Sequence, residues 1–157
     1  MKIKLLAIGK TDNKHIIQLI EEYQNRLKHY IKFELEVIPD IKNVKNLSEV
    51  QQKEKEGALI LSKLQNTDDL VLLDDKGKHF TSIEFSQYLQ KKMNSGIKQL
   101  VLVIGGPYGF SDTVYKKAIA KISLSKMTFS HQMIRLFAVE QIYRAFTILK
   151  NEPYHHE

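Results

Sequence analysis

Two runs without a polar residue, Leu70-Val71-Leu72-Leu73 and Leu100-Val101-Leu102-Val103-Ile104, constrain this chain more than any other feature. A strand that is apolar at every position has no face to offer water, so both of its faces must be covered. That condition is met inside a parallel sheet layered between helices, and the segments around the two runs read accordingly. Lys2 to Ile8 reads as a first strand ended by Gly9, and Lys32 to Ile38 as a half-exposed strand stopped by Pro39. Helical spacing runs from Thr11 to Leu27, with Ile16, Leu19, Ile20, Tyr23 and Leu27 on one face. Ser48 with Gln51, and Thr81 with Glu84, form capping boxes that open two further helices. The first runs to about Gln65 through a charged face, Lys53-Glu54-Lys55-Glu56, and the second to about Asn94. Asp74 to Lys78 reads as a turn, Ser111 as the cap of a short helix, and Ile122 to Lys126 as the last strand. The expectation is one α/β domain over residues 1–157, with a mainly parallel sheet of five to six strands flanked by helices.

A chain of 157 residues suits a single domain with a sizeable core. The absence of cysteine excludes disulfides, thiolate catalysis and Cys-ligated zinc, and suits a reducing cytosol, so a cytoplasmic location is expected. No stretch approaches the roughly 20 apolar residues that cross a bilayer, so no membrane partner is expected. The formal charge of +6 favours a polyanionic partner, nucleic acid first.

The segment Ser123 to Arg144 is the most distinctive part of the chain. An apolar/polar alternation breaks at Thr128 to Ser130, and Ser130 can cap the helix that follows. Ile134, Phe137, Ala138, Gln141, Ile142, Ala145 and Leu149 mark its buried face. Two of the chain's three arginines, Arg135 and Arg144, lie here. Arginine presents a planar fork of donors suited to phosphate or a developing oxyanion, where lysine is a hydrated point charge.

In open α/β sheets ligands bind beyond the carboxyl ends of the strands. Three such ends stand out: Leu73-Asp74-Asp75, Gly105-Gly106 and Lys126-Met127-Thr128. A glycine pair after a buried strand lets backbone approach a ligand, although a tight turn would ask for the same residues. No G-x-x-x-x-G-K-[ST], G-x-G-x-x-G or G-x-S-x-G is present, so a P-loop nucleotidase, a Rossmann dinucleotide site and a serine hydrolase find no support.

The blocks V-I-G-G-P-Y-G-F at 103–110, S-L-S-K-M-T-F-S-H-Q-M-I-R at 123–135 and E-Q-I-Y-R-A-F at 140–146, with the tail Pro153-Tyr154-His155, together resemble the SPOUT-class ribosomal RNA large subunit methyltransferase H family. The resemblance spans the whole chain. It implies a C-terminal trefoil knot that builds an S-adenosylmethionine pocket. Leu73, Gly105, Leu124, Ser125, Lys126, Met127, Thr128 and Phe129 would wrap the donor. The implied reaction is methylation of N3 of a pseudouridine in the intersubunit hairpin of 23S ribosomal RNA, within the ribosome. The implied assembly is a homodimer in which the tail of one subunit completes the other's site. Ser130 stands where many relatives carry proline, and serine caps a helix equally well.

Methylating an imide nitrogen requires its deprotonation, which spreads negative charge onto the flanking carbonyl oxygens. Fixed donors aimed at that charge are the expected device, and Arg135 or Arg144 fits. His131 and His155 are the candidate proton acceptors. The expectation is that Arg144 and His155 act on the base, with His131 nearer the donor. Tyr154 is expected either to stack on the base or to anchor the tail. His155-His156 lacks a nearby carboxylate pattern, so no metal is expected. The alternatives are a SPOUT enzyme acting on transfer RNA, and a ribosome-binding factor without activity.

Overall fold

The computed structural model describes residues 1–156; Glu157, the end of the tail, lies outside them. Five strands form one sheet: β1 (Lys2–Ile8), β2 (Lys32–Ile38), β3 (Asp68–His79), β4 (Gln99–Ile104) and β5 (Ala120–Ser123). Their order is β2-β1-β4-β3-β5, and every ladder between them is parallel. The two apolar runs lie side by side at the centre, with Leu70 opposite Val101 and Leu73 opposite Ile104.

Because successive side chains point to opposite faces of a strand, each central strand feeds two cores. Leu5, Val71, Leu100 and Leu102 pack beneath α1 (Lys14–Leu27), α3 (Ser82–Asn94) and α5 (His131–Leu149). Leu6, Leu70, Leu72, Val101 and Val103 point the other way, under α2 (Glu49–Ser62) and α4 (Asp112–Lys117). Burying each such side chain stabilises the fold by about 1.5–3 kcal/mol relative to leaving it in water. Both capping boxes form: the Ser48 hydroxyl accepts from Gln51 N–H, and the Thr81 hydroxyl from Glu84 N–H.

Three boundaries and one capping bond differ from the sequence expectation. Asn13, not a residue nearer Thr11, caps α1, accepting from the backbone N–H of His15 and Ile16. Ser111 makes no capping bond to α4; its hydroxyl pairs with Thr113 Oγ1 at 2.9 Å. Asp74 to Lys78 is not a turn but the second half of β3, which outruns β4 and continues along β5 past a bulge between Leu73 and Lys78. Gly77 is needed there, since a Cβ would stand 2.7 Å from the Lys121 carbonyl carbon. Strand β5 stops at Ser123 and not at Lys126. The Ser123 hydroxyl donates to Ser125 C=O, and the Ser125 hydroxyl accepts from Met127 N–H, turning the chain out of the sheet.

Helix α5 is covered on nearly every side along its middle, not on a single face. Leu136, Ala138, Val139, Ile142, Ala145 and Phe146 are buried, and so is Arg135. Glu56, read from the sequence as part of a charged surface, is only 3% exposed.

Candidate active site

The stretch of β3 just past its pairing with β4, the carboxyl end of β4 and the turn after β5 enclose a cavity of about 430 Å³. That volume lies within the range of small-molecule sites. One wall is the loop Gly105-Gly106-Pro107-Tyr108-Gly109, held shut by a bond from Gly109 N–H to Gly106 C=O. Gly109 has a φ of +80°, a conformation that only glycine adopts without strain. The opposite wall is the turn, contributing Ser123, Leu124, Ser125, Met127, Thr128 and Phe129. Leu73 and Ile104 form an apolar floor, and His131 and Ile134 close one end from the first turn of α5.

The polar groups in the cavity are placed by the strand end that the sequence reading took for a turn. Asp74 accepts from the Tyr115 hydroxyl at 2.6 Å and from Lys76 N–H at 2.8 Å. Burial alone would push its carboxyl up, but these bonds outweigh burial and hold it below its ordinary value. The Tyr115 hydroxyl is pushed up to about 12, first by burial and then by its bond to Asp74. Asp74 therefore presents a fixed negative charge to the cavity beside an apolar floor.

Of the eight residues expected to wrap a donor, seven line this cavity: Leu73, Gly105, Leu124, Ser125, Met127, Thr128 and Phe129. Lys126 does not. His131 does, and it is exposed. Gly105 serves the cavity indirectly, since a Cβ there would meet the Phe110 ring at 3.0 Å, so its role is to let Phe110 pack under the loop.

Arg135 is elsewhere. Fully buried, it donates through Nη1 to the Thr11 hydroxyl at 2.8 Å and through Nη2 to Ile8 C=O at 2.6 Å, tying α5 to the end of β1. Burial lowers its pKa, opposed by Asp40 and Asp12.

Arg144, Tyr154 and His155 form a second cluster. Arg144 donates through Nε and Nη2 to Glu140 Oε1, at 3.0 and 2.6 Å, and its Nη1 lies 3.4 Å from His155 Nδ1. Its guanidinium lies 4.7 Å from the centre of the Tyr154 ring. Tyr154 donates to the same Glu140 oxygen at 3.0 Å and meets the Tyr23 hydroxyl at 3.1 Å. The Glu140 bond raises the Arg144 pKa, so the guanidinium is a permanent cation. Burial, followed by the bonds to Tyr23 and Glu140, raises the Tyr154 hydroxyl, which stays protonated. The ion pair with Glu140 and the tail-anchoring role of Tyr154 are therefore both present, and the same contacts aim Arg144 at His155.

Thirteen residues separate His131 from Arg144 on α5, which places the two roughly 20 Å apart along the helix axis. The cavity and the Arg144–His155 cluster do not share a cleft within one chain.

Sequence reasoning missed Tyr115 and Ile134 as lining residues. Nothing in their spacing marks them: Tyr115 looks like an ordinary residue of a short helix, and Ile134 like any apolar position on α5. Among the described residues no group of three or more His, Asp or Glu side chains could hold a metal ion, and no helix is long and apolar enough to cross a membrane.

A family model described as "Predicted SPOUT methyltransferase" matches residues 1–155. Proteins named "Ribosomal RNA large subunit methyltransferase H" from Flavobacterium johnsoniae, Flavobacterium psychrophilum and Parabacteroides distasonis are 72%, 73% and 71% identical to the chain over 157 residues. Each match covers the whole of both chains. By its sequence from end to end, this chain belongs to the SPOUT methyltransferase family.

Proposed function

We propose that this chain methylates N3 of a pseudouridine in the intersubunit hairpin of 23S ribosomal RNA, using S-adenosylmethionine and acting as a homodimer on assembled ribosomes in the cytoplasm. The observation that carries the reading is the cavity between the glycine loop and the 123–129 turn, lined by seven of the eight residues expected to hold the donor. Its chemistry fits that molecule. The apolar floor of Leu73 and Ile104 suits an adenine ring, and the Asp74 carboxylate and Ser125 supply partners for hydroxyl and ammonium groups. Family membership further implies a trefoil knot in the C-terminal segment.

When bound, S-adenosylmethionine supplies a methyl group on a positively charged sulfur. The protein's own residues divide the remaining tasks. The glycine loop and the turn orient the donor and keep water from it. His155 takes the N3 proton, and the Arg144 guanidinium, held by Glu140, stabilises the charge left on the base. Tyr154 fixes Arg144 and the tail with respect to each other. Arg135 and His131 support from outside the base, Arg135 by seating α5 and His131 at the cavity's end. Because the two clusters lie about 20 Å apart in one chain, a second subunit supplies the Arg144–His155 cluster to each cavity.

The test is incubation with labelled S-adenosylmethionine and intact ribosomes, free subunits or bulk transfer RNA. Label confined to the large-subunit RNA of intact ribosomes is the expected result. Label in transfer RNA would reassign the substrate. An absence of donor binding at millimolar concentration in calorimetry would leave a ribosome-binding factor without activity.

A further inference from the structure

Helix α2 meets the glycine loop through Glu56 and the start of α4 through the next residue, Gly57. A Cβ on Gly106 would stand 2.7 Å from the Glu56 carboxyl carbon, so that carboxyl lies directly on the glycine that forms the cavity wall. On the next residue, a Cβ at Gly57 would reach within 3.2 Å of Ser111 Cβ, which lets the helix approach this closely. Glu56 is 3% exposed. Its Oε1 accepts from Gln52 Nε2 at 2.9 Å, and its Oε2 has no hydrogen-bond partner. No salt bridge reaches it among the described residues.

A buried carboxylate left without a cation is costly, and a chain folds more easily with a neutral residue in that place. A glutamine would fill the same space beside Gln52. An acid here is explained if a positive charge arrives on the other side of Gly106. S-adenosylmethionine carries a sulfonium, whereas the product left after transfer, S-adenosylhomocysteine, is a neutral thioether.

We propose that Glu56 is a specificity-determining residue, the fixed counter-charge behind Gly106 that makes the cavity favour the sulfonium donor over its thioether product. This rests on the donor reading above and extends it to product release. A negative charge set into the wall favours the ligand that still carries its methyl group, so spent donor leaves more readily. The other groups facing Glu56 are Gln52 on its own helix, Asp40 after β2 and His131 on α5. Burial, chiefly, and Asp40 push the Glu56 carboxyl up, while Gln52 and His131 act against them. A cation entering the cavity adds to the second pair.

The experiment is calorimetry of the wild type and Glu56→Gln with S-adenosylmethionine and S-adenosylhomocysteine, alongside thermal unfolding without ligand. For a single charge acting across the loop, the preference for the sulfonium should drop on the order of tenfold in Glu56→Gln. Thioether affinity and unfolding temperature should not fall. Equal weakening of both ligands would make Glu56 a support of loop shape only, and unchanged preference would remove it from the site; either result overturns the proposal. If Glu56→Gln does not fold, the same two affinities are compared in Glu56→Asp, which keeps the charge but draws it back from Gly106. There the preference should shrink while thioether affinity holds, and an unchanged preference overturns the proposal. A wild type that binds neither ligand would instead defeat the donor reading itself.

Discussion

At the scale of single residues, the two halves of the proposed site make separable demands. Arg144 is held by Glu140 and faces His155, away from the cavity. Arg144→Ala should therefore leave donor affinity unchanged while lowering turnover by about 10²–10³-fold, the usual loss for one oxyanion donor. Single-turnover rates together with calorimetry check this, and equal losses in both would reduce Arg144 to a structural role. Gly105→Val should do the opposite. The added side chain meets the Phe110 ring, the loop shifts, and donor binding is lost; retained affinity would mean the loop does not shape the cavity. Much of the cavity's lining could be read from the residues, because Gly105 and the 124–129 run lie in blocks specific enough to name a family. Lys126, expected beside them, is absent from the lining although its neighbours on both sides line the cavity. Arg135 and Arg144 look alike in sequence, and only burial tells them apart: one guanidinium binds a backbone carbonyl under β1, and the other meets the tail.

At the scale of elements, the apolar runs and capping boxes were sufficient to give the layers and the parallel sheet, since both are local patterns with one physical solution. The second half of β3 was not legible. Asp-Asp-Lys-Gly-Lys is polar on both faces and carries the residues of a turn, and what makes it a strand is the distant backbone of β5. That extension has a consequence for pH. Tyr115 bonds to Asp74 at its root, and its hydroxyl is pushed up to about 12 by burial and by that bond. Tyr88, on α3, is pushed up to about 12 by burial, with Asp69 adding to it. A raised folded pKa means the folded state holds the proton more tightly. The stability this confers is complete below pH 10, the ordinary tyrosine value, and is lost as pH rises from there towards 12. Urea unfolding at pH 9.5 and 11.5 should show that loss in the wild type and a smaller one in Tyr115→Phe. An identical loss in both would separate Tyr115 from the alkaline transition.

At the scale of the whole molecule, the positive net charge suits a polyanionic substrate. The length of α5 bears on the proposed sharing of the site between subunits. The helix puts the cavity at its first turn and the Arg144–His155 cluster near its end, so under the proposed function one chain's cluster does not reach its own cavity. Two copies paired about a two-fold axis would each lend the missing half. The most direct measurement is methyl transfer by a co-expressed mixture of Gly105→Val and Arg144→Ala chains, each inactive alone. Mixed dimers hold one site with an intact cavity from one chain and an intact Arg144 from the other, and random pairing should restore about a quarter of wild-type activity. Mixed dimers that form and remain inactive would contradict an active site shared between subunits.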